Sequence, residues 1–223
     1  MKLKVRAIMD AETINTLELL DRFLVNSCAR PFVAADRLSC IVGVLIDVKP
    51  ACVIDFTKFD VENMDLKVFE SFLKSLHLEF FYEKTELNPE VEPTFTHTYF
   101  ISKERKTARM LVDAEQELYD HFSTDEPNAP IIKIIHRKIG RLLGYPETAT
   151  DWFLVRAERI DLNEMDEDDI YKDLQKFYHF IHSRNNSDEE FEEYDKPIHE
   201  AMEKYTPLSA KLMKENAGEK RWL

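Results

Sequence analysis

The fold class turns on Thr96-His97-Thr98-Tyr99-Phe100-Ile101-Ser102-Lys103. Thr96 to Ile101 follows the period-two pattern of a half-buried strand. Ser102 stands where a helix cap belongs, and a helix is expected to begin at Lys103. Beyond it the period changes, with Ala108, Leu111, Val112 and Leu118 recurring on one helical face. Strands are therefore expected up to this point and helices after it.

Upstream, Lys2, Lys4 and Arg6 alternate with Leu3, Val5 and Ala7 as a short strand. Ile14, Leu17, Leu20, Leu24 and Cys28 then mark an amphipathic helix that Pro31 ends. The apolar run Ile41 to Val48 fits a strand or a buried helix, and periodicity does not decide between them. Ala51 to Phe56 is rich in β-formers. Leu66, Phe69, Phe72, Leu73 and Leu76 define a helix, Leu78 to Tyr82 a strand, and Pro89 and Pro93 a loop. Downstream, Asp125 to Pro130 is the best internal boundary. Four helices follow: Ile131 to Leu143, Pro146 to Glu158, one carrying Ile170, Leu174, Phe177, Tyr178 and Ile181, and Pro197 to Lys214. The expectation is an α+β protein with a small mixed sheet and helices at 1–125, then an all-helical half at 126–223, packed as one unit.

The 223 residues suffice for a sizeable core, and fifteen Phe and eight Tyr supply bulk for it. The formal net charge of −13 repels phosphate backbones and anionic lipid, which disfavours membrane and non-specific nucleic-acid binding. The first residues carry cations with no apolar run behind them, unlike a secretory signal, and no apolar stretch is long enough to span a bilayer. Cys28, Cys40 and Cys52 form no CxxC pair and read as reduced thiols of a cytoplasmic protein. With only four glycines, no GxGxxG or GxxxxGK[ST] loop can be written, and GxSxG is absent.

The most distinctive segment is Ile139-Gly140-Arg141-Leu142-Leu143-Gly144-Tyr145-Pro146-Glu147-Thr148-Ala149-Thr150-Asp151-Trp152-Phe153. Gly144 suits a left-handed helix end and Pro146 the start of the next helix, with the Tyr145 ring packed in the elbow. Turn chemistry alone accounts for these residue types. A functional reading has Tyr145 and Glu147 present a hydroxyl and a carboxylate to a pocket at a helix N-terminus. The segment resembles an archaeal domain family of unknown function, whose hallmark is Leu-Gly-Tyr-Pro-Glu followed by two cysteines and an aromatic. The resemblance spans roughly Leu76 to Phe153, and its specific core is Leu143 to Glu147. Thr148 and Ala149 stand where the family has its cysteine pair, so the resemblance implies a shared fold and carries over no thiol chemistry.

Two cationic clusters flank this region. Lys133, Arg137 and Arg141 share one face of the helix entering the elbow, with Lys138 beside them and no acid between Pro130 and Gly144. Lys103, Arg105, Lys106 and Arg109 open the earlier helix, against its dipole. Solvated pairing with acidic neighbours such as the Asp161 to Asp173 stretch explains the first cluster. Convergence of both would make an anion site, with a bound anion at Ser102 relieving the second. His179 and His182 form HxxH, but His179 points away from the apolar stripe, and His199-Glu200 lacks the second histidine of HExxH. The Asp161 to Asp169 stretch lacks the glycine of a calcium loop, and Asp188 to Asp195 reads as a solvated loop. Arg221-Trp222-Leu223 reads as a tucked or contacting tail.

The leading expectation is a non-enzymatic binding or interaction protein, engaging a protein partner or a second copy as a homodimer, with no cofactor and no metal. The alternative is an enzyme or ligand-binding protein with an anion pocket between the α/β half and the Gly-Tyr-Pro elbow. There Arg105, Arg109, Lys133, Arg137 and Arg141 would hold the anion beside Tyr145 and Glu147, with nucleic acid as a sub-case.

Overall fold

The computed structural model describes residues 9–87, 94–123, 129–159 and 187–217. Asp10 caps α1 (Ala11–Ser27) by accepting from the Thr13 N–H at 2.8 Å. Pro31 does more than follow that helix: it opens α2 (Pro31–Leu45) at the first-turn position, where its missing N–H costs nothing. This settles the ambiguous apolar run, since Ile41 to Leu45 is the buried last turn of α2. After β1 (Ala51–Thr57), Asp65 caps α3 (Leu66–Ser75), and β2 (Glu79–Leu87) and β3 (Thr94–Ser102) form a hairpin. The remaining described helices are α4 (Arg105–Phe122), α5 (Ala129–Leu142), α6 (Glu147–Arg159), α7 (Ser187–Glu190), α8 (Lys196–Tyr205) and α9 (Pro207–Ala217).

The architecture is α+β, with the strands in the N-terminal half and helices dominating the remainder. β3 is central in the order β1-β3-β2, and both described pairings are antiparallel. Register decides which side chains meet. Ile101 lies opposite Cys52 and Phe80, and Tyr99 opposite Ile54 and Tyr82, while Phe100 lies opposite Val53 and Phe81 on the other face. The first face belongs to the larger core, where α2 and α3 pack on the strands and α1, α8 and α9 pack on these helices and one another. Tyr99 is its hub, with Phe69 edge-on at 5.1 Å, Phe80 at 5.8 Å and Phe56 at 6.2 Å. The second face carries a smaller core of Ala51, Phe100, Leu111, Val112, Ile135 and Ile139 beneath α4 and α5.

Several expectations need correction. Ser102 closes β3 instead of capping a helix; its hydroxyl donates to the Pro50 carbonyl at 2.8 Å, and α4 begins at Arg105. The Asp188 to Asp195 stretch is not a solvated loop: α7 runs into a π-helical turn (Phe191–Asp195), and Glu190 and Asp195 are buried. The Pro197 to Lys214 helix is two helices, because Pro207 cannot continue the ladder of α8 and starts α9. The expected strand at Lys2 to Ala7, the loop at Pro89 and Pro93, the segment with Ile170 to Ile181, His179 and His182, the Asp161 to Asp173 stretch and the terminal Trp222 lie outside the described residues. So does most of the Asp125 to Pro130 boundary.

Candidate functional site at the α5–α6 elbow

Gly144 takes a φ of +80°, the left-handed conformation that ends α5. The Tyr145 N–H donates to the Gly140 carbonyl at 2.8 Å, closing the turn. Close packing also demands glycine here. A Cβ on Gly144 would lie 2.9 Å from Pro50 Cδ and 3.1 Å from the Val48 carbonyl oxygen. The elbow therefore sits against the Val48-Lys49-Pro50 segment that links α2 to β1. Gly140 answers a similar need for space within α5, since a Cβ there would meet Thr150 Oγ1 at 2.8 Å. Its absence lets α6 close onto α5.

Between these helices lies a cavity of about 130 Å³, lined by His136, Ile139 and Gly140 of α5, Tyr145 of the elbow, and Ala149, Thr150 and Phe153 of α6. Its wall is chiefly apolar. His136 stands between two rings, with Phe122 at 6.4 Å and Phe153 at 5.7 Å, both edge-on. Burial pushes the His136 imidazole below the usual histidine range, so it is neutral at neutral pH. Neither the His136 ring nitrogens nor the Thr150 hydroxyl has a hydrogen bond among the described residues. Phe122 and Ile134, in the two helices beside the cavity, are 56% and 65% exposed.

Behind Tyr145 lies a buried polar cluster that sequence reading missed. Asp36, Cys40 and Gly43 share one face of α2. A Cβ on Gly43 would lie 3.1 Å from Lys49 Cδ, so glycine leaves room for the Lys49 stem along the helix. Lys49 Nζ ends 5.7 Å from the Tyr145 ring centroid, and Asp195 adds an opposite charge nearby. Burial opposes the charge on Lys49, but its neighbours Cys40, Tyr145, Cys52 and Asp195 hold its pKa above the ordinary lysine value. Burial raises the Asp36 carboxyl to about 6, with Lys49 and Arg37 pulling the other way. Thr148 donates to Glu190 at 2.5 Å, tying the start of α6 to the end of α7. The sequence signal was available in Lys49, the one cation between Ile41 and Phe56, but its depth depended on the fold.

The seven sequence-predicted site residues fall into separate settings. Arg105 and Arg109 stack over Phe81 at 4.8 and 5.5 Å, with carboxylates of Glu79 at 3.4 Å and Asp113 at 2.9 Å. Arg137 pairs with Asp151 and Arg141 with Glu147, each at 2.9 Å, and Lys138 with Glu117 at 3.1 Å. The α5 cations thus meet acids of α4 and α6, and Glu147 points outward with its side chain 75% exposed. Lys133 is on the same helix and does not line the cavity, whereas Tyr145 does. Lys103 leaves its cluster altogether: Nζ donates to the Leu45 carbonyl at 2.8 Å and pairs with Asp47, completing the C-terminus of α2. The two arginine pairs share no carboxylate partner.

Among the described residues, no group of three or more His, Cys, Asp and Glu side chains is placed to hold a metal ion, and no helix is long and apolar enough to cross a membrane. Comparison of the chain with protein-family models, curated proteins and solved structures gave no match.

Proposed function

We propose that this chain is a non-enzymatic binding protein whose recognition element is the α5–α6 elbow. The observation that supports this reading is the apolar cavity of about 130 Å³ in which two polar side chains have no described hydrogen-bond partner. Ligand sites characteristically combine an apolar wall with a few convergent polar groups. Several buried polar side chains among the described residues are instead occupied in holding the fold: Asp60 with Arg30 and Arg37, Asp21 with Ser209, and Thr148 with Glu190. Anion binding has less support, because Arg105, Arg109, Arg137 and Arg141 each face a carboxylate already. A cytoplasmic setting accords with three free thiols.

Native mass spectrometry of untagged, gently purified protein tests the reading against its denatured mass. The expected result is an added mass that is lost on denaturation and absent from an Ala149→Phe variant, whose ring would fill the cavity. An unliganded mass for the native protein, under conditions that preserve a control complex, overturns it.

A further inference from the structure

The geometry points to a ligand class for the elbow cavity: a neutral, single-ring aromatic molecule bearing one hydrogen-bonding substituent, oriented by His136 and Thr150. This inference rests on the binding reading above and narrows it. Size comes first. In another protein, an engineered apolar cavity of about 150 Å³ holds benzene. A space of about 130 Å³ that is open to solvent on one side accordingly takes one six-membered ring with a small substituent within its walls.

Charge comes next. Among the described residues, no charged side chain lines the cavity, and Arg137 and Arg141 are paired with Asp151 and Glu147 outside it. His136 is neutral there. A carboxylate or ammonium entering this wall would lose its hydration and find no counter-charge. The walls favour a ring over an aliphatic group. Phe153 and His136 already stand edge-on at 5.7 Å, and a third ring can join them with the offset or edge-on geometry that aromatic groups prefer. The Tyr145 side of the site is fixed in place, since its ring is backed by Lys49 and by the packed Gly144 turn.

The polar substituent follows from hydrogen-bond accounting. The neutral imidazole of His136 offers one donor and one acceptor, and the Thr150 hydroxyl can do either. A ligand hydroxyl, donating to one and accepting from the other, would satisfy both. An apolar ring of the same size would leave them unsatisfied.

The test is a titration of the full chain, labelled with ¹⁵N, using phenol, toluene and benzoate as probes. Phenol is expected to shift the Gly140 and Ala149 amide resonances saturably in the millimolar range, as suits so small a ligand. Benzoate should bind at least about tenfold more weakly. Thr150→Val keeps the wall and removes the hydroxyl, so it should weaken phenol by about three- to tenfold and leave toluene unchanged. His136→Phe should act in the same direction, with spectral dispersion confirming that both variants fold. Benzoate binding as tightly as phenol, or phenol and toluene behaving alike in the wild type and in Thr150→Val, overturns the ligand class. If phenol leaves these resonances unmoved while native mass spectrometry finds a retained species, the ligand class falls and the binding reading stands. Unmoved resonances together with an unliganded native mass remove both.

Discussion

The two faces of the sheet handle charge in opposite ways. On the α1–α2 side, charged groups are drawn into the core and matched there. Asp60 is fully buried and accepts from Arg30 Nε and Nη2 at 2.9 Å each, from Arg37 Nη2 at 3.3 Å and from the Thr57 N–H and hydroxyl at 2.9 Å. Burial alone would raise its pKa, but the hydrogen bonds from Arg30 and Thr57 and the charge of Arg37 hold it far below the carboxylate range. Arg37 keeps one buried nitrogen without a hydrogen bond and rests its guanidinium 4.9 Å over the Phe56 ring instead. Asp21, also buried, reaches from α1 to the first turn of α9 and accepts from the Leu208 and Ser209 N–H groups at 3.0 Å. It takes the capping role that Thr206, whose hydroxyl donates to the Met202 carbonyl, leaves open. On the α4–α6 side, the cations lie outside, in exposed pairs, and the smaller core beneath leaves a cavity. Buried, paired charges fix the orientation of elements on the first side, while on the second the cavity wall is chiefly apolar.

The severest test of that contrast lies at Asp60. Asp60→Ala leaves the largely buried Arg37 guanidinium and the Thr57 donors without their acceptor and is expected to cost about 3–5 kcal/mol, read as a large fall in Tm or in the denaturant midpoint. A loss below about 1 kcal/mol, the range of an exposed pair, would show that the hub is not a keystone. Gly144→Ala comes next, at about 1–3 kcal/mol, since it combines a positive φ with a Cβ contact at 2.9 Å to Pro50. Arg137→Ala and Arg141→Ala close the series at less than about 1 kcal/mol each, because their pairs are exposed and screened. A larger loss at either would place the α5 charges among the elements that hold the elbow together.

A pH series probes the first side from within. Asp36, raised to about 6, holds its proton in the folded state where the unfolded chain has released it. Its contribution makes stability fall as pH rises from about 4 to 6, by up to about 3 kcal/mol. Burial lowers His199 to about 4, with Lys214 adding to that shift and Glu203 opposing it. Between about pH 4 and 6.5 the unfolded chain binds the His199 proton and the folded chain does not, so this contribution makes stability rise. The two slopes nearly cancel in the wild type. Relative to the wild type, Asp36→Asn should therefore make the slope of stability against pH more positive across this window, and His199→Gln should make it more negative. Parallel denaturant series at pH 4.5 and 6 would check both signs, and identical slopes in the two variants would refute the assignment.

Much of the fold was legible because it is written locally. Period-two alternation gave β3, and three- and four-residue spacing gave α1, α3 and α4. The Gly144-Tyr145-Pro146 triplet gave the elbow, since only glycine adopts that φ readily and proline suits a first helical turn. The run at Ile41 was ambiguous because burial on every side erases the period that distinguishes helix from strand. Asp188 to Asp195 misled for a related reason: acidic residues read as solvent-facing, yet Glu190 and Asp195 are buried against partners remote in sequence.

Residue order was therefore enough to place most of the described helices, strands and turns and to say which motifs the chain lacks, because those depend on neighbours within a few residues. It was not enough to say that Arg105 stacks on Phe81 while Arg141 meets Glu147, that Lys49 is buried behind Tyr145, or that His136 and Thr150 share a cavity. These emerged only from the packed chain, and the physical reason is distance. Hydrogen bonds, burial and cavities depend on atoms a few ångströms apart, and only the packing of α2, the segment that links it to β1, the elbow and the π-helical turn brings residues 36, 49, 145 and 195 together.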